Sequence, residues 1–519
     1  MSDRTAAPQR EQWSGQLGFL LSAIGSAIGL GNIWRFPGVA YTSGGGAFIV
    51  PYVVALLTAG IPILMLDYAL GHRFRGSAPA VFRRLGHRFE FIGWLQVGIC
   101  MVIAAYYIVI LAWAASYAGF SFSLAWGSDP TTFFVQDFLG VADPGFNLAI
   151  GWSVFWPMLV LWVLVLIVMS ARVHKGLEVV NKIALPLLIV LFVAMVIRAL
   201  FLPGAVDGLN ALFTPDWSAL TNPAVWVAAY TQIFFSLSVA FGIMMTYASY
   251  IKPRANLVPT GLVAAFANSS FEILAGFGVF ATLGFMAYSQ GVTVGDLEGI
   301  TGVSLSFMTF PQVISMMPGG QIFGVLFFVS LLLAGFTSMV SIIEVIVAAV
   351  REKFSLSRRT AVAAIVGLEA LGSILLFATT NGLNALDVVD NFVNNIGILS
   401  AAVAECIIVA VLIRKLPELQ HHLNQTSTLQ LGNWWRLLVG VLNPVALLYV
   451  LVATVITLVT TGYGGYPGGF VTAFGWGTVL FLVVAAGFAT ALRWRTDVDR
   501  FTPLPLDPYI ARSGKEVSA

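Results

Sequence analysis

Residues 17–38 read LGFLLSAIGSAIGLGNIWRFPG, an apolar run long enough to cross a bilayer, with Ser26, Gly29, Gly31 and Asn32 near its middle. A spanning helix needs about 20 mostly apolar residues. Unwound backbone at membrane depth survives only where it lines a cavity or is buried in protein. A second run, 223–249, repeats the pattern at Ser236-Leu237-Ser238-Val239-Ala240-Phe241-Gly242. One small-residue cluster is ordinary, because Gly and Ser let helices pack closely. Two clusters in corresponding positions point instead to two broken helices. Carbonyls freed at such a break can hold a cation, and half-helix N-termini can face an anion.

The whole chain fits that environment. It has 519 residues, 58% of them apolar and 10% charged. Soluble domains carry roughly 25% charged residues, so an ordinary cytosolic enzyme, a disordered chain and a nucleic-acid binder are excluded. The mean hydropathy is +0.90. Cys100 and Cys406 both lie in apolar runs, which implies no disulfide framework. About twelve apolar runs follow one another: 17–38, 46–71, 91–118, 147–170, 178–201, 223–249, 257–287, 320–350, 361–380, 392–413, 436–461 and 470–493. The first is too long and too Gly-rich for a signal-peptide core.

Positive charge fixes an orientation. Arg73, Arg75, Arg83, Arg84 and Arg88 follow the second run, and Arg172 and Lys175 separate the fourth from the fifth, with Lys182 just inside the fifth. Lys252 and Arg254 follow the sixth, and Arg351, Lys353, Arg358 and Arg359 follow the eighth. Arg414 and Lys415 follow the tenth, and Arg493, Arg495 and Arg500 the twelfth. The alternate loops 119–146, 288–319, 381–391 and 462–469 have no Lys or Arg. Both termini are therefore expected in the cytoplasm, with the chain in the plasma (inner) membrane. The two breaks lie five runs apart, as expected for an inverted repeat of five plus five helices with two added. The expected division is 1–15 as an N-terminal cytoplasmic segment, 16–202 and 203–415 as the repeats, 416–494 as the last two helices, and 495–519 as a cytoplasmic tail.

Charges at membrane depth are few: Arg35, Asp67, Glu272, Glu344 and Glu405. Each costs about 2.5–3.5 kcal/mol on insertion scales, so partners or water are expected around them. Asn268 and Glu272 are four apart and share a helix face. Thr337 and Ser338 place adjacent hydroxyls beside Ala334 and Gly335. Hard oxygen ligands of this kind suit an alkali cation.

At these residues the chain resembles the neurotransmitter:sodium symporter family, solute carrier family 6, whose bacterial members include the leucine transporter. The matching segments are SAIGLGNIWRFP (26–37), SGGGAF (43–48), KGLE (175–178), QIFFSLSVAFG (232–242), TYASY (246–250) and LAGFTS (333–338). The resemblance implies an all-α membrane protein of twelve helices, with helices 1 and 6 unwound, working by alternating access. It implies two sodium ions. One would be held by the Ala27 carbonyl, Asn32, Ser236, Asn268 and the substrate carboxylate. The other would be held by the carbonyls of Gly25, Ile28 and Ala334 and the hydroxyls of Thr337 and Ser338. The substrate would meet Ser26, Ala27, Gly29, Leu30, Gly31 and Ser236. Tyr107 would donate to its carboxylate, and Ile103, Phe235, Ser238, Phe241, Ser338, Met339 and Ile342 would line its side chain. Monoamine members of the family carry Asp where this chain has Gly29, so a neutral, apolar amino acid is the expected substrate, with an amine or other small solute as the alternative.

Chloride-dependent members carry Ser where this chain has Glu272, so chloride independence is implied. Tyr52, Gln232 and Ser236 would surround the carboxylate, and proton counter-transport would follow if it were protonated on the return step. Arg35 and Asp390 would gate one side, with Phe241 and Tyr107 beneath. Arg10 and Glu352 would gate the other, supported by Tyr250 and Glu344, with Trp13 packing the N-terminal segment. Asp67 replaces the family's usual Glu, and its shorter side chain is not expected to reach the first break without a water. Thr460-Thr461-Gly462-Tyr463-Gly464 is reminiscent of a potassium filter, but it opens a loop of about eight residues where a filter needs a re-entrant pore repeated around an axis. A membrane enzyme lacks support: there is no G-x-S-x-G or H-E-x-x-H, and no histidine falls within the expected spans. A transport-dead sensor that keeps the sites is the remaining rival. The small-molecule substrate and the bilayer are the expected partners, and no nucleic acid is.

Overall fold

The first apolar run breaks where its glycines stand. α1 (Gln16–Ala27) stops as Ile28 turns extended, with φ −73° and ψ 101°. α2 (Gly31–Thr42) leaves at 48° to it. The sixth run breaks too. α8 (Pro223–Ser236) and α9 (Ile243–Ser249) flank an irregular segment in which Ser238, Ala240 and Gly242 all have positive φ, at 54°, 63° and 84°. For non-glycine residues that region costs roughly 1–2 kcal/mol each, so surrounding structure must hold the segment.

That surrounding structure is a set of long apolar helices. The computed structural model describes residues 11–504. α3 (Gly46–Phe74) leads into the short α4 (Ala78–Leu85) and then α5 (His87–Phe120), α6 (Trp152–Ser170) and α7 (Leu177–Leu200). After the broken pair come α10 (Leu257–Gln290), α11 (Gly320–Phe354), α12 (Arg358–Leu376) and α13 (Gly382–Leu412). The short α14 (Leu416–Asn424) precedes α15 (Asn433–Thr461) and α16 (Gly468–Ala491). Ten of these helices are each long and apolar enough to cross a membrane, and the α1–α2 pair passes the same test as one bent span. Among the described residues there is no β-strand, only two isolated bridges.

Burial separates inner from outer helices. The apolar window of α5 is 89% buried and those of α10 and α11 are 78%, whereas α15 has 28% and α6, α12 and α16 have 33%. In water that apolar exposure would be a liability; in a bilayer it is a lipid face. α5 packs along α11, α1 lies against α7 and α10, and α9 against α3. Gly71 makes the last contact tight, because a Cβ there would sit 1.9 Å from the Met245 carbonyl oxygen. Gly18 serves α1 likewise, since its Cβ would overlap the Glu178 carboxylate of the KGLE segment.

One sequence expectation changes here, and one residue whose role the sequence left open finds a partner. α3 runs on to Phe74, so His72 lies in the last turn of a spanning helix instead of beyond it. Asp67 turns to the second break, not the first: its Oδ2 accepts the Ala240 N–H at 3.0 Å. The reason is the α3–α9 contact, which carries the middle of α3 alongside the start of α9.

Candidate functional site

The two breaks meet at one point. Asn32, in the first turn of α2, accepts the Gly29 N–H through Oδ1 at 2.8 Å. Its Nδ2 donates to Asn268 Oδ1 of α10 at 2.9 Å and reaches Ser236 Oγ at 3.5 Å. Asn268 Nδ2 donates to the same Ser236 hydroxyl at 2.5 Å. Three buried polar side chains from three chain segments thus converge where both helices unwind.

A second cluster forms against α11. Thr337 Oγ1 donates to the Ala334 carbonyl at 2.9 Å. Ser338 Oγ donates to the Ser26 carbonyl at 3.0 Å and lies 3.4 Å from that of Ile28. Ser238 Oγ, from the second break, reaches the same Ser26 carbonyl at 3.2 Å. Gly25 faces α7, where a Cβ would overlap Asn181 Oδ1. That amide oxygen is buried without a hydrogen-bond partner. Asn181 was not singled out from the sequence, because nothing in its local pattern marks the helix it faces.

Between the clusters lies a cavity of about 30 Å³, lined by Ser26, Ala27, Gly29, Gly31, Asn32, Ile103, Tyr107, Phe235, Ser236, Ser238, Phe241, Ser338 and Ile342, and also by Ile243. Ile243 opens α9 and was missed in the sequence, where it reads as ordinary apolar filling. Leu30 and Met339 do not line it: Leu30 borders the vestibule above, and Met339 is fully buried. Tyr107 Oη accepts the Leu30 N–H at 3.3 Å. A Cβ on Gly29 would come within 2.7 Å of Ser338 Oγ and 3.1 Å of Tyr107 Oη, so a side chain here would have to displace both hydroxyls.

Glu272 stands beside the first cluster, one turn along α10 from Asn268, and is fully buried. Tyr52 donates to its Oε2, and Gln232 Nε2 to its Oε1 at 2.6 Å. Ser236 also hydrogen-bonds to it, so one hydroxyl joins the carboxylate to the Asn32–Asn268 pair.

The two sides of the cavity differ. On one, a vestibule of about 460 Å³ is bordered by Arg35, Tyr107, Phe235 and Asp390. Arg35 and Asp390 are not brought within ion-pair distance. The guanidinium stands 5.1 Å over the Phe235 ring, while Asp390 accepts from Tyr106 Oη at 2.6 Å and Asn394 Nδ2 at 2.8 Å. On the other, basic side, the chain is closed. Trp13 Nε1 donates to the Tyr247 carbonyl at 2.9 Å, and Tyr250 Oη to Glu344 Oε1 at 2.8 Å. Glu344 also pairs with Arg358 at 2.8 Å, a partner not identified from the sequence. Glu352 accepts the Ser77 N–H at 2.8 Å and faces Arg84 at 3.6 Å; Arg10, its expected partner, lies outside the described residues. Asp67 contacts Glu405 of α13, which also accepts from Gln96 Nε2 at 2.9 Å.

Comparison with known proteins fits this arrangement. The model of the sodium:neurotransmitter symporter family matches residues 10–136 and 125–497. An uncharacterised sodium-dependent transporter of Methanocaldococcus jannaschii is 42% identical over 88% of this chain and 93% of its own. The human sodium- and chloride-dependent creatine transporter 1 is 33% identical over 64% of this chain and 59% of its own. The bovine sodium- and chloride-dependent GABA transporter 2 is 33% identical over 67% and 63%. The chain spans about three fifths of these two animal relatives. Paired helix breaks, buried hydroxyls and amides at their meeting point, and matches along nearly the whole chain place this protein in the sodium:neurotransmitter symporter family, as a multi-pass membrane symporter that depends on sodium and is not an enzyme.

Proposed function

We propose that this protein carries a small, neutral, apolar amino acid together with sodium, without chloride, by alternating access. The observation that carries the substrate class is Gly29, pressed between Ser338 and Tyr107. No carboxylate stands there to pair an amine, so the substrate brings its own carboxylate to Tyr107 Oη and the N–H groups at the first break. Creatine and GABA, named by two relatives, are also carboxylates, which fits the same chemistry. The apolar wall of Ile103, Phe235, Phe241 and Ile342 favours an apolar side chain.

One sodium ion takes Asn32, Ser236, Asn268, the Ala27 carbonyl and the substrate carboxylate. A second takes Thr337, Ser338 and the carbonyls of Gly25, Ile28 and Ala334. Ion and substrate share a charge contact in the first site, so each raises the other's affinity by the same factor. Glu272 supplies the fixed negative charge in place of chloride and takes a proton on the return step. Arg35 and Asp390 close the vestibule once substrate is bound, and Arg10 with Glu352 closes the basic side. That side is cytoplasmic, both termini with it, and residues 16–202 and 203–415 form two inverted repeats, with the last two helices outside them.

The test is uptake of radiolabelled alanine, valine and leucine into proteoliposomes under an inward sodium gradient. Uptake with sodium and none with potassium is expected, unchanged when gluconate replaces chloride. Uptake that needs chloride, or no uptake of any of the three, would contradict the reading.

A further inference from the structure

Two histidines meet on the basic side, away from the cavity. His72, in the last turn of α3, and His422, near the end of α14, are both buried, with His72 Nδ1 2.9 Å from His422 Nε2. His72 Nε2 lies 2.9 Å from the Lys252 carbonyl, just after α9. Arg75 Nη2 lies 3.3 Å from the same nitrogen, but the carbonyl is nearer and only accepts, so His72 Nε2 carries a hydrogen and its Nδ1 accepts. His422 Nε2 must then be the donor, which leaves His422 Nδ1 bare. That nitrogen is buried and has no hydrogen-bond partner. The shorter contact at each nitrogen thus assigns both tautomers and leaves one empty proton position.

The junction ties two bodies. α3 and α9 are locked together at Gly71 and Met245, and Arg75 Nη1 adds hydrogen bonds to the carbonyls of Ser249 and Ile251. α14 belongs to the connection between α13 and α15. Its other link to α3 is Arg73 to Glu418 at 2.9 Å.

We propose that His422 Nδ1 is a proton-binding site, and that a proton there unfastens the clasp between α14 and the α3–α9 unit. The proposal rests on the transport reading only in taking this side as cytoplasmic. The surroundings explain why a proton parts the clasp. Arg73 stands in the last turn of α3 with Arg75 just beyond it, Lys252 and Arg254 on the loop after α9, Lys415 just before α14 and His421 on it, and Arg436 on α15. The one acidic group on α14, Glu418, is already shared by Arg73 and Lys415. An added charge is therefore buried among cations. Burial and the neighbouring His72, Arg73 and Arg75 hold His422 down to about 3.

A histidine held below its ordinary value near 6.5 binds its proton better when the clasp is open. The closed clasp is thus favoured above pH about 6.5 and loses up to about ten-fold per unit as pH falls from there toward 3. With the vestibule open on the far side, parting of this junction accompanies opening of the basic side.

The test places spin labels on Pro253→Cys, exposed beside Lys252 after α9, and Pro417→Cys, exposed on α14, in lipid nanodiscs, with the two buried native cysteines retained. No substrate is needed, so failure here is separable from failure of the transport reading. Between pH 7.5 and 5 a longer-distance population should grow by up to about ten-fold per unit. His422→Gln keeps a donor at the Nε2 position without titrating, and should hold the pH 7.5 distance throughout; His421→Gln should respond like the parent. The same acid response in His422→Gln, its loss in His421→Gln, or no response in the parent would overturn the proposal. If His422→Gln does not fold, ¹⁵N-histidine spectra of the unmodified protein decide. An imidazole-to-imidazole N–H···N correlation is expected at pH 7.5, and its absence would refute the clasp.

Discussion

Glu272 sits inside the bundle with donors on every side, Tyr52, Gln232 and Ser236, and no Lys or Arg within ion-pair distance among the described residues. An ionised carboxylate buried this way costs several kcal/mol. A sodium ion on the Asn32–Ser236–Asn268 cluster would stand one hydroxyl away. At roughly 5 Å and an effective dielectric near 20, their attraction is about 3 kcal/mol, comparable to that cost. Ion and carboxylate therefore favour each other's presence. Glu272→Ser should bind sodium at least about ten-fold more weakly in gluconate and regain most of the affinity in chloride. Isothermal titration in the two salts measures it; equal affinities in both would show that Glu272 does not stand in for chloride. Much of this site was legible in the sequence, because Asn268 and Glu272 are one turn apart and Ser236 lies in a visible break. Pairs such as Glu344 with Arg358, or His72 with His422, were not, since only the packing of distant helices brings them together.

At the scale of elements, both breaks fall where the small and polar residues stand, between α1 and α2 and between α8 and α9. What the sequence did not reveal is how the second is held. Asp67 grips the Ala240 N–H, and Cys100 Sγ contacts the Phe241 carbonyl at 3.2 Å. Ala240 itself sits at φ 63°, where a small Cβ is tolerated and a branched one is not. Ala240→Gly should change stability by less than about 1 kcal/mol, as relief of strain offsets lost chain stiffness. Ala240→Val should lose about 2 kcal/mol or more. Thermal unfolding in detergent reads both, and a neutral Ala240→Val would mean that the unwound segment is not held as described. Ten of the expected runs recur as single spanning helices and the first as a bent pair, most ends within a few residues, because membrane thickness sets helix length so strongly. Some ends on the basic side run longer than expected, as at His72 and Lys353, where charge and histidine read as loop but continue as helix.

For the whole molecule, asymmetry is the functional statement. One side of the cavity opens into a vestibule of about 460 Å³ with Arg35 and Asp390 apart. The other is sealed by Trp13, Tyr247, Tyr250 and the Glu344–Arg358 pair. Alternating access requires these two states to exchange, and sodium and substrate bias the exchange only through differential contacts. The central claim is that they do so at one shared site. It is tested most directly by thermal unfolding of the purified protein with each of the twenty amino acids and several amines, in sodium and in potassium. A ligand at 100 times its Kd adds about 2.7 kcal/mol. Stabilisation of that order by a small apolar amino acid in sodium, and none in potassium, is the predicted result; stabilisation by amines alone, or by an amino acid equally well in both salts, would contradict the account.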